Sequence, residues 1–273
     1  MSNNDAQQTE LGHPHRIVVV GGGAGGLELV TALGDRFGRQ KRASVTLVDR
    51  SPTHLWKPLL HEAAAGVLDA NAQALDYAAQ ARWHHFTFQQ GSLKSLDRTQ
   101  REITVDAVLD ADGFELLPQR QIPYDTLVLA IGSVTNFFNT PGAAEHATAL
   151  DTLEQAEHFR RRMIAACMRA DLKSAQVHIV IIGGGATGVE LSAELRNTAE
   201  VLAAYGMHHL NPRRDVRITV VEAAPRLLAA LPERVSQKTE ELLHKLDIDV
   251  LTDEKVSEIH ANQVLTANGK TLP

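Results

Sequence analysis

IVVVGGGAGGLEL, residues 17–29, and HIVIIGGGATGVEL, residues 178–191, decide how this chain is read. Each is a short apolar run that breaks into glycines and resumes as an amphipathic segment. Gly21, Gly23 and Gly26 meet the G-x-G-x-x-G spacing in the first copy, and Gly183, Gly185 and Gly188 meet it in the second. The first glycine allows a tight turn out of a buried strand, the second lets backbone approach a pyrophosphate, and the third lets the helix close on the sheet. Backbone N–H groups at the positive end of the helix then face the phosphates, so no lysine is needed to hold them. A single loop of this kind is common, whereas two in the same strand, loop and helix order predict two dinucleotides held at once. That arrangement points to electron transfer between cofactors.

Each loop also calls for an acid at the end of the next strand, where a carboxylate can bond the adenosine ribose. Asp49 ends ASVTLVD, 23 positions after Gly26. Glu222 ends VRITVVE, 34 positions after Gly188, so a longer helix and the polar stretch from Asn211 to Asp215 must intervene. A carboxylate at this place favours a free 2′-hydroxyl, hence NAD over NADP.

The 273 residues suit two domains, and the hydrophobic share of 44% is that of a globular chain. A formal charge of −6 argues against nucleic acid as a partner. Residues 1–14 lack the basic start and apolar core of a secretory signal and are expected to form a disordered tail. The one cysteine, Cys167, excludes an internal disulfide and a dithiol mechanism. No apolar run approaches the roughly 18 to 20 residues that cross a bilayer, so membrane contact is expected to be peripheral.

The pattern predicts an α/β chain with two Rossmann-like domains. The first spans 15–142, with strand 17–20, helix 24–37 and strand 44–48. A hairpin follows, ITVDAVL and FELL about the turn Asp110 to Gly113. YDTLVLAIG, 124–132, reads as a buried parallel strand whose small end residues Ala130 and Gly132 leave room for a cofactor. NTPG, 139–142, reads as a linker. The second domain, 143–273, starts with a helix from Thr152 to about Arg169 that Asp151 and Glu154 are placed to cap. Its apolar stripe runs from Leu153 to Ala170, with Arg160, Arg161 and Arg162 on a solvated side. Helices 186–205 and 233–246, strand 216–221, and strands near 248–250, 255–260 and 263–266 complete it.

Three further stretches, HLWKPLLHEAAAG from His54, AIGSVTNFFNTPGAAEHA from Ala130 and GGGATGVELSAEL from Gly183, resemble the two-dinucleotide-binding-domain flavoproteins. More narrowly, they resemble type II NADH:quinone oxidoreductases, over residues 16–273. The resemblance implies FAD in the first domain and NADH in the second, with the nicotinamide stacked on the flavin and two electrons passed on to a membrane quinone without proton pumping. It implies that Gly21, Gly23, Gly26 and Asp49 hold the ADP half of FAD, with Ala130 and Gly132 beside the cofactor. Gly91 and Leu93, in FQQGSL, are implied to contact adenine through their backbone. Gly183, Gly185, Gly188 and Glu222 are implied to hold NADH. It also implies a respiratory enzyme on the cytoplasmic face of the cell membrane, bound peripherally, with a homodimer left open. In this family the second domain is inserted in the first, so the returning FAD segment, the quinone pocket and the membrane-binding region are expected beyond Pro273.

The resemblance places Lys57 beside the isoalloxazine ring and Glu190 where nicotinamide reaches it. Both are expected near flavin N5, as a pair, with the cation stabilising a reduced anionic flavin. Histidine pairs such as His84-His85 lack metal-ligand spacing, and no metal is expected. Alternatives within the fold are a ferredoxin or rubredoxin reductase and a water-forming NADH oxidase. Oxidases and sulfide:quinone oxidoreductases of this fold use cysteines that the chain lacks near the flavin. Outside enzymes, an apoptosis-factor-like NAD-binding protein stays open.

Overall fold

The computed structural model describes residues 13–173 and 175–273, so most of the expected tail lies outside the described residues. The chain divides into two units. The first holds residues through Trp56 and Asn71–Ser133, and the second holds Lys57–Ala70 and Val134–Pro273.

The valine-rich run of β1 (His15–Val20) is buried on both sides of its sheet, as continuous apolar strands are in parallel sheets. It leads into α1 (Ala24–Leu33), which continues as a π-helical turn, Gly34–Gly38, and the chain returns as β2 (Ala43–Asp49). The expected uninterrupted helix to residue 37 is therefore modified. Gly34 and Gly38 pass so close to the carbonyls of His84 and His85 that any Cβ would collide, at 1.9 and 2.2 Å. After β3 (Thr53–His54) come α2 (Leu60–Ala65) of the second unit and α3 (Ala70–Gln73). The first unit resumes with β4 (Leu75–Asp76), which pairs with β3, then α4 (Tyr77–Trp83) and β5 (Thr87–Gln90).

A meander follows: β6 (Leu93–Asp97), β7 (Glu102–Val105), the short pair β8 (Val108–Leu109) and β9 (Glu115–Leu117), β10 (Arg120–Pro123), and lastly β11 (Thr126–Leu129). The four-stranded parallel sheet has the order β11-β1-β2-β5. Val19, Val45 and Leu47 pack under α1 and α4, while Val18, Val20 and Val48 pack on Ile103 and Val105 of the antiparallel sheet β10-β7-β6. Three layers result, with the glycine loop at the carboxyl end of the central strands. The expected hairpin is corrected in part: β8 and β9 pair about Asp110 to Gly113, but residues 103–105 pair with β10 and β6. Ile103 and Val105, both at 0% exposure, are claimed by the core, which a hairpin extended into solvent would not allow.

Besides α2, the second unit holds α5 (Ala143–His146) and the long α6 (Leu153–Lys173). The expected cap of α6 is also corrected. Thr152 Oγ1 accepts the N–H of Gln155, and Gln155 Oε1 accepts the N–H groups of Asp151 and Thr152, a capping box one residue later than read from the sequence. Ala156, Met163, Cys167 and Ala170 form the buried stripe, and Arg160, Arg161 and Arg162 stay exposed. Next come β12 (Val177–Ile182), α7 (Ala186–Tyr205), α8 (Pro212–Asp215), β13 (Val216–Val221), α9 (Glu233–Lys245) and β14 (Ile248–Leu251). The antiparallel strands β15 (Val256–His260), β16 (Gln263–Thr266) and β17 (Thr271–Leu272) finish the chain. Strands β12, β13 and β14 form a parallel sheet in that order, and β15-β16-β17 lies over Val221 with Ala143. The wider gap between loop and acid in this unit is filled by the 20 residues of α7, against 10 in α1, and by α8.

Candidate functional site

The first loop is locked from inside the chain. Gly21 has φ +101°, and a Cβ on it would stand 2.3 Å from the Ala130 carbonyl oxygen; one on Gly26 would stand 1.8 Å from the Gly21 carbonyl oxygen. These glycines are demanded by backbone packing. Gly23 is different: it is exposed, it caps α1 without any side-chain hydrogen bond, and a Cβ there would meet nothing within 4 Å. Nothing among the described residues requires a glycine at Gly23, which fits a cradle kept open for a bound group.

Asp49 finishes β2 beside this loop. Its Oδ2 accepts the Gly22 N–H at 2.6 Å, and its Oδ1 accepts the Ser51 N–H at 2.8 Å. Tyr77, buried on α4, donates its hydroxyl to the Gly22 carbonyl at 2.6 Å, and burial beside the Asp49 charge pushes that phenol well above its ordinary value. Gly91 donates to the Asp49 carbonyl at 2.8 Å, and a Cβ on it would strike Val105, so its glycine is explained by packing. Leu93 begins β6 opposite Val105. Ala130 donates to the Val20 carbonyl at 2.8 Å, and Gly132, exposed with φ +69°, has open space around it.

The second loop repeats this construction. Glu222 Oε2 accepts the Gly184 N–H at 2.6 Å, and Oε1 accepts the Ala224 N–H at 2.7 Å. A Cβ on Gly188 would stand 2.0 Å from the Gly183 carbonyl oxygen, whereas Gly185, the N-cap of α7, has nothing within 4 Å. Gly183, Gly185, Gly188 and Glu222 line a groove of about 1770 Å³ that also takes in Lys57, Arg161 and Arg162. The two loops, GGGAGG and GGGATG, thus share one latch: an acid that grips the middle glycine with one oxygen and the residue two places after itself with the other. The remaining lone pairs of each carboxylate can accept from ribose hydroxyls, and each open cradle suits a pyrophosphate. The residues present fit a dinucleotide at both loops.

Lys57 and Glu190 each have a described charged or titratable neighbour. Lys57 Nζ lies 2.8 Å from Asp151 Oδ1, and Asp151 Oδ2 accepts the Thr135 N–H at 2.8 Å. Burial alone would raise the Asp151 carboxyl, but Lys57 and the Thr135 N–H outweigh it and hold the group below the usual carboxylate range. Glu190, at the start of the second turn of α7, is 55% exposed and stands 3.8 Å from His61 Nδ1. Among the described ion pairs Lys57 joins Asp151, whose partial burial suits an ammonium, and Glu190 faces His61; the placing of Lys57 and Glu190 near a flavin is a proposal. Asp151, His61 and Tyr77 escaped the sequence reading. Asp151 sits next to a helix start and has the spacing of a cap, while His61 lies beside Glu62 in the otherwise apolar run from Leu59 to Ala65.

Cys167 is fully buried in α6 and burial raises its thiol, so it is unsuited to redox exchange. Among the described residues, no helix is long and apolar enough to cross a membrane, and no three His, Cys, Asp or Glu side chains gather as a metal site.

Comparison with known proteins matches this arrangement. The chain is 42% identical over 270 residues to a type II NADH:quinone oxidoreductase of Haemophilus influenzae, and 26% identical over 268 residues to the type II NADH:quinone oxidoreductase NdhA of Mycobacterium tuberculosis. These alignments take in 93% and 95% of this chain but 61% and 54% of the relatives, so the chain spans less than two thirds of their length. Its fold is similar to that of NDH2 from Plasmodium falciparum in complex with NADH, with a TM-score of 0.81 at 21% identity, over 95% of this chain and 53% of that one. The pyridine nucleotide-disulphide oxidoreductase pattern matches residues 15–273. With both loops, both acids and nearly the whole length accounted for, the chain belongs to the pyridine nucleotide-disulphide oxidoreductase family.

Proposed function

We propose that this chain carries the FAD- and NADH-binding machinery of a type II NADH:quinone oxidoreductase, a respiratory flavoprotein. In this reading it works peripherally at the cytoplasmic face of the membrane and passes two electrons to a quinone without pumping protons. The observation that carries the reading is the duplicated latch, Asp49 on Gly22 and Glu222 on Gly184, in a chain 42% identical to an enzyme of that name. FAD, when bound, supplies hydride acceptance from NADH and release of the electrons to quinone.

The protein's part is binding, orientation and charge. Asp49 and the Gly21–Gly26 loop hold the ADP half of FAD; Glu222 and the Gly183–Gly188 loop hold NADH, with the acid selecting the free 2′-hydroxyl. Lys57, its ammonium fixed by Asp151, supplies the positive charge that favours a reduced flavin, and Glu190 faces the nicotinamide half from the start of the second turn of α7. A buried thiol argues against cysteine-based oxidase or sulfide chemistry.

The test is a steady-state assay of the flavin-loaded protein with NADH and a short-chain quinone, followed by the same assay with ferredoxin. Quinone reduction is expected. Ferredoxin reduction without quinone reduction would overturn the reading, and NADH binding without flavin bleaching would favour a non-enzymatic NAD-binding protein.

A further inference from the structure

Helix α2 carries one polar group into an otherwise apolar interior. Leu60, Ala63, Ala64 and Ala65 are buried, and His61 is buried with them at 9% exposure. Among the described residues its Nδ1 has no hydrogen-bond partner. An imidazole nitrogen shut away from water and left unbonded is costly, and such groups occur where a partner arrives later. The carboxylate beside it is Glu190, with Oε2 at 3.8 Å, just beyond hydrogen-bond reach.

The movable member of this pair is Glu190. The far end of α2 is pinned to α7, where Thr198 Oγ1 donates to the Ala65 carbonyl at 2.8 Å, eight residues and so about two turns along the helix from Glu190. Gly66 ends α2 at φ +84°, with the Arg160 guanidinium of α6 in the space a Cβ would need. His61 is thus fixed in place, whereas the half-exposed Glu190 can swing about its own side-chain bonds. Charges near this helix among the described residues include Lys57 on the preceding turn, which is paired with Asp151, Glu62 on α2 itself, Arg160, and Glu194, one turn along α7 between Glu190 and Thr198.

We infer that His61 is a positioning residue for Glu190: when a dinucleotide fills the second glycine loop, the His61 Nδ1–H bonds the Glu190 carboxylate and fixes the direction in which it faces the nicotinamide. The inference rests on the proposed NADH site. It makes the segment from Lys57 to His61 a two-point frame, with Lys57 ordering Asp151 and His61 ordering Glu190.

The test uses the flavin-loaded full-length protein with three readouts: equilibrium binding of NAD⁺, the saturated rate of flavin bleaching by NADH, and the ¹⁵N resonances of the His61 ring. His61→Leu removes the donor, and His61→Asn keeps an N–H near the Nδ1 position. We expect His61→Leu to slow saturated bleaching about tenfold and to weaken NAD⁺ binding by a smaller factor, because the bond forms with the dinucleotide bound and acts chiefly on the orientation of Glu190. His61→Asn should recover most of that rate, and His61→Leu should add nothing in a Glu190→Gln background. NAD⁺ should bring the wild-type Nδ1 signal to the protonated, hydrogen-bonded position. Additive losses in the double variant, or an Nδ1 resonance indifferent to NAD⁺ while NAD⁺ binds, would overturn the inference whether or not His61→Leu folds well. Wild-type protein that fails to bind NAD⁺ at all would instead overturn the NADH reading on which it rests.

Discussion

The Asp49 carboxylate takes the N–H of Gly22 at 2.6 Å with one oxygen while its other oxygen holds Ser51, so both of its oxygens act as acceptors for the backbone. An asparagine of the same shape has one acceptor oxygen and would set N–H against N–H at the other contact. Asp49→Asn is expected to cost about 1 to 3 kcal/mol in loop order and to lower the flavin retained after gel filtration. Glu222→Gln, facing Gly184 and Ala224, is expected to weaken NADH binding about tenfold or more by calorimetry.

The glycines of one loop should fail in different ways. Gly23→Ala has free space, so its thermal unfolding should match wild type within about 1 kcal/mol while flavin content falls. Gly26→Ala drives a methyl to 1.8 Å from the Gly21 carbonyl oxygen and should destabilise the fold itself. Scanning calorimetry beside a flavin absorbance ratio separates the two effects. Equal unfolding temperatures for both variants would show that the loop has more slack than its packing indicates.

Cys167 should be silent. Its sulfur is buried in α6 and its thiol is raised by that burial, so native protein should take up no iodoacetamide over hours, and unfolded protein should take up one equivalent. Labelling that tracks NADH turnover would contradict the buried position.

Acid should loosen the first unit through Asp125. The Arg16 guanidinium and backbone N–H hold that carboxyl far below its ordinary value. A group depressed on folding contributes stability that is complete above the unfolded value, about 3.9, and is lost as pH falls below it. Asp151 acts in the same direction: burial opposes its charge but Lys57 and Thr135 prevail. Urea midpoints are therefore expected to begin falling as pH drops through about 4 and to keep falling as it approaches the depressed folded value, and Asp125→Asn should lower the midpoint at pH 7 while flattening that fall.

Arg196 is 1% exposed, and its guanidinium donates to the backbone carbonyls of Pro212, Leu246 and Asp247. Removing a buried charge's hydrogen-bonding set strands those carbonyls, so Arg196→Met should lose about 3 to 5 kcal/mol in urea unfolding. A loss under about 1 kcal/mol would mean water replaces the three bonds.

The loops, their acids and the parallel strands were legible because glycine spacing and apolar runs answer to local rules: a turn with φ above zero, a strand buried on both faces. What stayed hidden depends on partners distant in sequence. Nothing near Ile103 reveals that β10 and β6 flank it, and nothing near Asp151 shows that Lys57, 94 positions earlier, claims its carboxylate. The cap of α6 was misread by one residue because Asp151–Glu154 and Thr152–Gln155 both satisfy the capping spacing, and the lysine decides between them. The π-helical turn at Gly34 arises from a close pass against His84 and His85, which no periodicity records.

The latch at Glu222 also bears on redesign. A change of coenzyme toward a 2′-phosphate would begin by replacing that acid with a neutral or basic side chain. The same replacement unfastens Gly184 and Ala224, so the loop would loosen just as it was asked to accept a bulkier anion. Coenzyme choice and loop rigidity are here one trait, and a successful swap has to import a new acceptor for the Gly184 N–H together with the new charge.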